Sequence, residues 1–190
     1  MNKKKFILIL SIFAIVIVLG GAVFVWNNNR NSENIESKTE TVTNQSDSAN
    51  KTVAEYLSGN KNLSSFTELL NTAGLFSQLS EIGPYTVFAP NNDSFKNMPE
   101  GYYDIIFKSS NPQTASNILS YHIVPGNLDS TLLTSGLKMK TQNGQELIVE
   151  LADDNIYIID AKSNKAIVKT ANIKTTNGVV YIIDKVLLPQ

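Results

Sequence analysis

The chain has 190 residues, which is the length of one domain with additional segments. Its 16 basic and 17 acidic side chains leave a net charge of -1. That balance argues against nucleic acid as the main partner, because phosphate binding needs clustered basic residues. The absence of cysteine excludes disulfides, thiolate zinc sites and a cysteine nucleophile, and only one histidine, His122, is present. The composition therefore favours a protein that is not an enzyme and that needs no cofactor and no metal.

The N-terminus has the pattern of a membrane anchor. Lys3–Lys5 precede an uncharged stretch from Phe6 to Trp26. As a helix this stretch would span about 31 Å, close to the hydrocarbon thickness of a bilayer and longer than most signal-peptide cores allow. Because positive charges stay in the cytoplasm, residues 1–26 are predicted to be cytoplasmic lysines and a single-pass signal-anchor, with the rest of the chain extracellular. The alternative is secretion after signal cleavage near Ala22.

A polar segment separates this anchor from the rest of the chain. In residues 27–50, Asn, Ser and Thr supply 14 of the 24 positions. Such a composition cannot bury enough apolar surface to offset its conformational entropy, so a flexible linker is predicted. Residues 51–190 are long enough for one self-sufficient core and are predicted to form the folded domain.

Helix signals dominate the first half of this domain. Thr52 and Glu55, and again Ser65 and Glu68, have the spacing of a capping box. Apolar residues then repeat at helical spacing as far as Gly74, which suits a left-handed position at the end of a helix. The elements predicted next are a short helix near 75–79, a turn at Gly83-Pro84, a buried strand over 86–89, a helix capped by Asn91 or Asn92, a helix over 102–108 and a helix that opens at Asn111-Pro112.

Strand signals dominate the second half. Asn143-Gly144 is a typical two-residue hairpin turn, and the residues after it alternate between apolar and polar. Strands are predicted over 122–124, 137–141, 146–151, 156–160, 167–170, 179–183 and 186–188, with a short helix over 128–133. Helices that precede a strand-rich half indicate an α+β fold with an antiparallel sheet or sandwich.

Three segments resemble one known family. Thr86–Phe95 (TVFAPNNDSF) is similar to the first signature of the fasciclin-like (FAS1, beta-Ig-H3) domain, and Asn177–Leu187 (NGVVYIIDKVL) is similar to the second. Between them, Ile118–Gly126 (ILSYHIVPG) resembles the central Tyr-His segment of the family. The three segments occur in the family's order and spacing, and the resemblance covers residues 51–190. One departure is Tyr181, where many members have histidine.

The resemblance implies a wedge-shaped β-sandwich with packed helices. It also implies an extracellular or surface-anchored protein that acts in cell adhesion or matrix association and binds proteins or polysaccharides. Catalysis is not the usual role of the family. The sequence therefore predicts a membrane-tethered extracellular binding module. The alternatives are an envelope structural protein that associates with itself and, as a third class, a hydrolase of surface polymers.

The candidate residues fall in the three signature segments. Asn91, Asn92 and Asp93 are predicted to cap a helix, where a carboxylate suits the positive helix end. His122, next to Tyr121, either belongs to a surface recognition patch or is a partly buried ring that hydrogen-bonds to backbone and fixes the junction between helix and strand.

The second signature contributes three more candidates. Asn177 and Gly178 form a turn in which glycine supplies backbone freedom, and Asp184 is expected to accept backbone hydrogen bonds at the end of the last strand. The contact region is predicted around 91–98 together with Tyr121 and His122.

Two other groups of residues have competing interpretations. Asp153, Asp154 and Asn155 lack the spacing of an EF-hand calcium loop and are interpreted as a hairpin turn. The lysines of the strand-rich half would bind acidic polysaccharide if they shared one face, but scattered solvated positions are the more common arrangement. These lysines are Lys138, Lys140, Lys162, Lys165, Lys169 and Lys174.

Overall fold

A computed structural model of the chain describes residues 47–107 and 112–190, which all fall within one compact unit. The predicted anchor over 1–26 and the predicted linker as far as residue 46 lie outside the described residues. In the part that is described, no helix is long and apolar enough to cross a bilayer. Asp47 and Ser48 are helical and Ser48 is buried, so ordered structure includes the last four residues of the predicted linker.

After Ser48, five α-helices and three single-turn 3-10 helices are present in the described ranges. The capping box at Thr52 and Glu55 is confirmed. The one predicted at Ser65 and Glu68 is wrong, because the helix begins at Ser64 and the Ser65 amide donates instead to the distant Asn92 Oδ1, at 3.1 Å. The α-helices are α1 (Val53–Gly59), α2 (Ser64–Thr72), α3 (Asn92–Lys96), α4 (Tyr102–Phe107) and α5 (Pro112–Ser120), and the 3-10 helices are Lys61–Leu63, Ser77–Ser80 and Ser130–Leu132.

Seven strands form one sheet in the order β2-β1-β7-β6-β5-β4-β3. Most neighbours are antiparallel, as predicted, but β1 and β7 are parallel. Both strands are buried along almost their whole length, which is typical of parallel pairs. The strands are β1 (Tyr85–Pro90), β2 (Ile123–Pro125), β3 (Lys138–Lys140), β4 (Glu146–Ala152), β5 (Asn155–Ile159), β6 (Lys165–Thr175) and β7 (Gly178–Ile183).

The long strand β6 joins the two halves of the sheet. Its first residues pair with β5, and from Val168 onward it pairs with β7, with two shifts of register between Val168 and Ile173. Such irregularities bend a strand and increase its twist. At the far edges, the Gln142 amide after β3 donates to the Ile123 carbonyl of β2, at 2.7 Å, which brings the two ends of the sheet together.

The central strands β1 and β7 separate two hydrophobic cores. Val87 and Val180 face the helices and pack with residues such as Phe66. Phe88 and Tyr181 point the other way, into the space enclosed by the sheet. Alternation along a strand explains this division, because successive side chains lie on opposite faces. Both cores are built from residues in the described ranges, so this part of the chain carries what a domain needs to fold alone.

Candidate functional site

The Tyr-His junction, Tyr121 and His122, lies where α5 ends and β2 begins. Both residues are completely buried, with no exposed surface. Of the two arrangements predicted for His122, the structure therefore shows the one within the fold, and burial is complete instead of partial. Neither side chain is part of the protein surface. What each ring does is set by its hydrogen bonds.

His122 connects four parts of the fold. Its Nδ1 lies 2.8 Å from the Ile118 carbonyl of α5, so this nitrogen carries the proton and donates. Its Nε2 accepts the Leu187 amide at 2.9 Å, and its own carbonyl accepts the Phe88 amide of β1 at 2.9 Å. The ring packs against Phe66 of α2, with centroids 5.6 Å apart. Burial in this apolar site lowers the pKa of His122 to about 4, so the ring is neutral at pH 7.

Tyr121 performs a similar role on the side of the enclosed core. Its hydroxyl donates to the Glu146 carbonyl of β4 at 2.8 Å and accepts the Ala161 amide at 2.9 Å. Burial raises the pKa of Tyr121 to about 12. The phenol is therefore a fixed bridge between β4 and the loop after β5, and it is not positioned as a proton donor to a substrate.

Asp160 completes this region and was not among the residues predicted from the sequence. It is 5% exposed and follows β5 directly. Its Oδ1 accepts the amides of Lys162 and Asn164 at 2.9 and 2.8 Å, and its Oδ2 accepts the Leu188 amide at 3.0 Å. An aspartate that follows a strand and precedes Lys162–Asn164 has the pattern of an Asx turn, in which the side chain accepts backbone amides that follow it in the chain. This local pattern is the signal in the sequence that could have predicted the role of Asp160.

The first signature organises the start of α3. Asn91 is the N-cap, and its Oδ1 accepts the Ser94 amide at 2.9 Å. Asn92 instead reaches back to cap α2 through its Oδ1. Asp93 is exposed in the first turn and forms an ion pair with Lys96, at 2.7 Å. Asn91 and Asn92 therefore hold backbone in place, and Asp93 is the member of this group that faces solvent.

The second signature holds the turn between β6 and β7. The Asn177 side chain accepts the Val53 amide at 2.8 Å and donates to the carbonyls of Leu79 and Glu81, at 2.9 and 2.6 Å. The interpretation of Gly178 as a source of backbone freedom is wrong, because Gly178 is not among the glycines with a positive φ angle. Glycine is required for another reason: an added Cβ would overlap the Tyr85 carbonyl of β1.

Asp184 closes the end of β7 against β6. Its Oδ1 accepts the Ile167 amide at 2.7 Å, and its own amide donates to the Ile167 carbonyl at 3.1 Å. The remaining carboxylate oxygen lies 3.9 Å from Lys169 Nζ. Asp184 therefore accepts a backbone hydrogen bond at the end of the last strand, as the sequence predicted. The two bonds to Ile167 hold β6 and β7 together at the point where β6 bends.

Four of the six lysines of the strand-rich half are paired with carboxylates, namely Lys138, Lys165, Lys169 and Lys174. Lys165 lies 2.8 Å from Glu150, and Lys138 lies 3.2 Å from Glu146. Asp129 accepts from the Thr131 amide and from Lys174, and these two contacts lower the pKa of Asp129 to about 2. An acidic polymer would have to compete with these carboxylates for the lysines.

The acidic turn is a hairpin connection. Asp153 and Asp154 have φ angles of 49° and 59°, and they join β4 to β5 where Ala152 pairs with Asn155. Two consecutive left-handed residues are the geometry of the favoured two-residue hairpin turn. Among the described residues, no three His, Asp or Glu side chains come together as a metal site.

Comparison with known proteins gives consistent relatives. A family model described as the fasciclin domain matches residues 61–189. Protein sll1483 of Synechocystis is 35% identical over 138 residues, which are 73% of this chain and 73% of that protein. Human periostin is 33% identical over 143 residues, or 74% of this chain and 16% of periostin. The cell surface glycolipoprotein MPB83 of Mycobacterium bovis is 32% identical over 107 residues, or 56% of this chain and 44% of that protein.

A solved structure has the same fold. The FAS1 domain pair from the insect cell adhesion molecule fasciclin I superposes with a TM-score of 0.65 at 19% sequence identity, and the match covers 74% of this chain and 51% of that one. The predicted α+β fold of the FAS1 type is thereby confirmed. The chain spans most of the Synechocystis relative but only a small part of periostin. With the match over residues 61–189, the chain belongs to the fasciclin family.

Proposed function

We propose that this protein is a membrane-tethered extracellular binding module for adhesion or for surface and matrix interaction, with protein or polysaccharide as its ligand. The observation that carries the proposal is membership of the fasciclin family in a chain whose N-terminus has a lysine-led apolar stretch. The names of two relatives, a cell surface glycolipoprotein and a cell adhesion molecule, support the same class of function.

The buried residues of the Tyr-His junction favour a function in binding without catalysis. His122 has both ring nitrogens engaged by backbone and has no exposed surface. A general base must reach the proton that it removes from a substrate. Tyr121 and Asp160 are likewise bonded to backbone amides. These three groups support the fold and are not arranged around an open cleft.

The contact surface that we propose lies on the exposed side of α4. The Tyr103 ring is 46% exposed and stacks on Phe107, with centroids 4.6 Å apart, and Ile105 is 38% exposed. Nearby, Lys162 Nζ contacts the Tyr102 hydroxyl at 2.6 Å. An exposed aromatic ring held by a neighbouring ring offers a flat apolar surface with polar groups beside it, which suits both sugars and protein side chains. Phe107 also packs edge-on against Phe95 of the predicted region 91–98, with ring centroids 5.7 Å apart.

Topology is tested by protease treatment of intact cells. We expect the domain to be released by cleavage between residues 27 and 46, because a polar linker outside the cell is accessible. Cleavage that occurs only after lysis would contradict the extracellular location. Recovery of a mature chain that begins near Ala22 would instead show a secreted protein without an anchor.

Ligand binding is tested with a fragment of residues 39–190, which contains all the described residues, on arrays of glycans and matrix proteins. We expect a Tyr103→Ala and Ile105→Ala double variant to lose binding, whereas Leu132→Ala, a control at another exposed apolar position, keeps it. Equal binding by the two variants would contradict the α4 surface. Size-exclusion chromatography of the same fragment addresses self-association, since a stable dimer without array binding favours the envelope structural alternative.

A further inference from the structure

The last six residues of the chain form a segment that buried side chains hold in place. We call this segment, Lys185–Gln190, the C-terminal strap. The strand predicted over 186–188 lies within it, and that prediction is wrong because the segment pairs with no strand of the described sheet. The Leu187 amide donates to His122 Nε2 at 2.9 Å, and the next amide, that of Leu188, donates to Asp160 Oδ2 at 3.0 Å. Two ionisable side chains therefore replace the backbone acceptors that a neighbouring strand would supply.

The strap closes both hydrophobic cores. Val186 and Leu188 pack with the helix-side core, and Leu187 packs with the enclosed core. All three are less than 10% exposed. Detachment of the strap would therefore uncover apolar surface on both sides of β7 without breaking a strand pair.

The hydrogen bond to Leu187 requires a neutral imidazole. Because Nδ1 donates to the Ile118 carbonyl, Nε2 must present its lone pair to the amide. A second proton on the ring would occupy Nε2 and face the amide N–H donor directly. The groups around the ring are Phe66 from α2, the Ile118 carbonyl from α5 and, as the charged neighbour, Asp160 from the loop after β5. The strap itself brings Lys185, which is exposed.

We propose that the C-terminal strap is an acid-sensitive latch, which detaches when His122 takes up a proton while the seven-stranded sheet stays paired. The latched ring resists protonation, with its pKa lowered to about 4 mainly by burial, and an uncovered ring has an ordinary pKa of about 6.5. The folded value lies below the open one, so the latch is fully stable above pH 6.5 and weakens as the pH falls towards 4.

The size of the effect follows from these two pKa values. Between pH 7 and pH 5, the equilibrium constant for strap opening should rise on the order of 20-fold, because the open state binds a proton that the latched state excludes. Opening by this route is local, since the strap contributes no strand to the sheet.

Hydrogen exchange on residues 39–190 tests the proposal at pH 7 and pH 5, with rates corrected for intrinsic exchange. We expect the protection of peptide 185–190 to fall on the order of 20-fold at pH 5, while peptide 178–183 in β7 keeps its protection. A His122→Gln variant retains an acceptor that does not titrate, so its strap should show the same protection at both pH values. As a matched control, Asp160→Asn should loosen the strap at both pH values and keep the pH dependence.

Three results would overturn the latch: parallel loss of protection in the strap and in β7, a pH-independent strap in the wild type, or full pH dependence in His122→Gln. NMR of the wild type keeps the test decisive if the glutamine variant does not fold. The Leu187 amide and the His122 ring should then titrate with one shared midpoint, and separate midpoints would contradict the proposal.

Discussion

Replacing Asn177 by alanine should destabilise the domain more than almost any other single change at its surface. The Asn177 side chain lies between β6 and β7 and joins three segments that are distant in sequence. It accepts the amide of Val53 at the start of α1, and it donates to the carbonyls of Leu79 and Glu81. Alanine removes all three hydrogen bonds and supplies no substitute.

The cost can be worked out bond by bond. Val53 and Leu79 are completely buried, so their amide and carbonyl would be left without partners, at about 1 to 2 kcal/mol for the amide and about 1 kcal/mol for the carbonyl. Glu81 is exposed and water can replace the amide there, at roughly 0.5 kcal/mol. The sum is about 3 kcal/mol, a large part of the 5 to 15 kcal/mol that typically stabilises a domain.

Urea unfolding of residues 39–190, followed by circular dichroism, measures this loss. Asn155→Ala is the matched control, because Asn155 is exposed and makes one local side-chain bond, to the Asp153 carbonyl at 2.7 Å. It should lower the free energy of unfolding by about 0.5 kcal/mol. If Asn177→Ala costs less than about 1 kcal/mol, or no more than the control, the three bonds do not hold the turn as described.

Two further changes test neighbouring parts of the fold. Gly178→Ala should destabilise the domain by about 2 to 3 kcal/mol, because the added Cβ meets the Tyr85 carbonyl. In the control Gly59→Ala the added Cβ meets nothing within 4 Å, so this change should be neutral or stabilise the domain by up to about 1 kcal/mol. Equal midpoints of urea unfolding for the two variants would contradict the close approach of Gly178 to Tyr85. Tyr121→Phe should cost about 1 to 2 kcal/mol, since the Ala161 amide loses its acceptor. Ultraviolet titration of the folded wild type should show at least two tyrosines fewer ionised at pH 11 than the unfolded chain, because burial raises the pKa of Tyr121 to about 12 and also raises the pKa of Tyr181.

Local signals were sufficient for much of the fold. The cap at Thr52, the cap at Asn91 and the left-handed Gly74 each depend on residues within about four positions of one another. The same is true of the alternation that divides β4 between core and solvent. In each case the chemistry that selects the conformation is contained in the segment itself. The hairpin at Asn143-Gly144 is also present, but the prediction of a two-residue turn is wrong. The Thr141 amide donates to the Gln145 carbonyl at 2.9 Å, so the loop has three residues, and of Asn143 and Gly144 only the glycine has a positive φ.

Contacts between distant segments were not predictable in this way. The cap of α2 comes from Asn92, more than twenty positions away, so the serines at its start gave a misleading local pattern. The apolar sequence of the strap predicts a strand, but the amides of Leu187 and Leu188 donate to the side chains of His122 and Asp160 instead of to a neighbouring strand. The parallel pairing of β1 with β7 likewise depends on how the helices pack and bring these two strands together. The residues next to either strand in the sequence carry no signal that predicts this pairing.

The signature residues explain why the fold and the ligand have to be considered separately. Asn91, Asn177 and Asp184 each bind backbone groups, and Tyr121 and His122 are enclosed. In this chain these residues support the fold and leave surface contacts to other positions. A ligand must then be contacted by exposed positions, and in this chain those include the side chains on α4 and Ile82, which is 96% exposed in the loop before β1. Substitution of signature residues therefore reports on stability, and substitution of the exposed residues reports on binding.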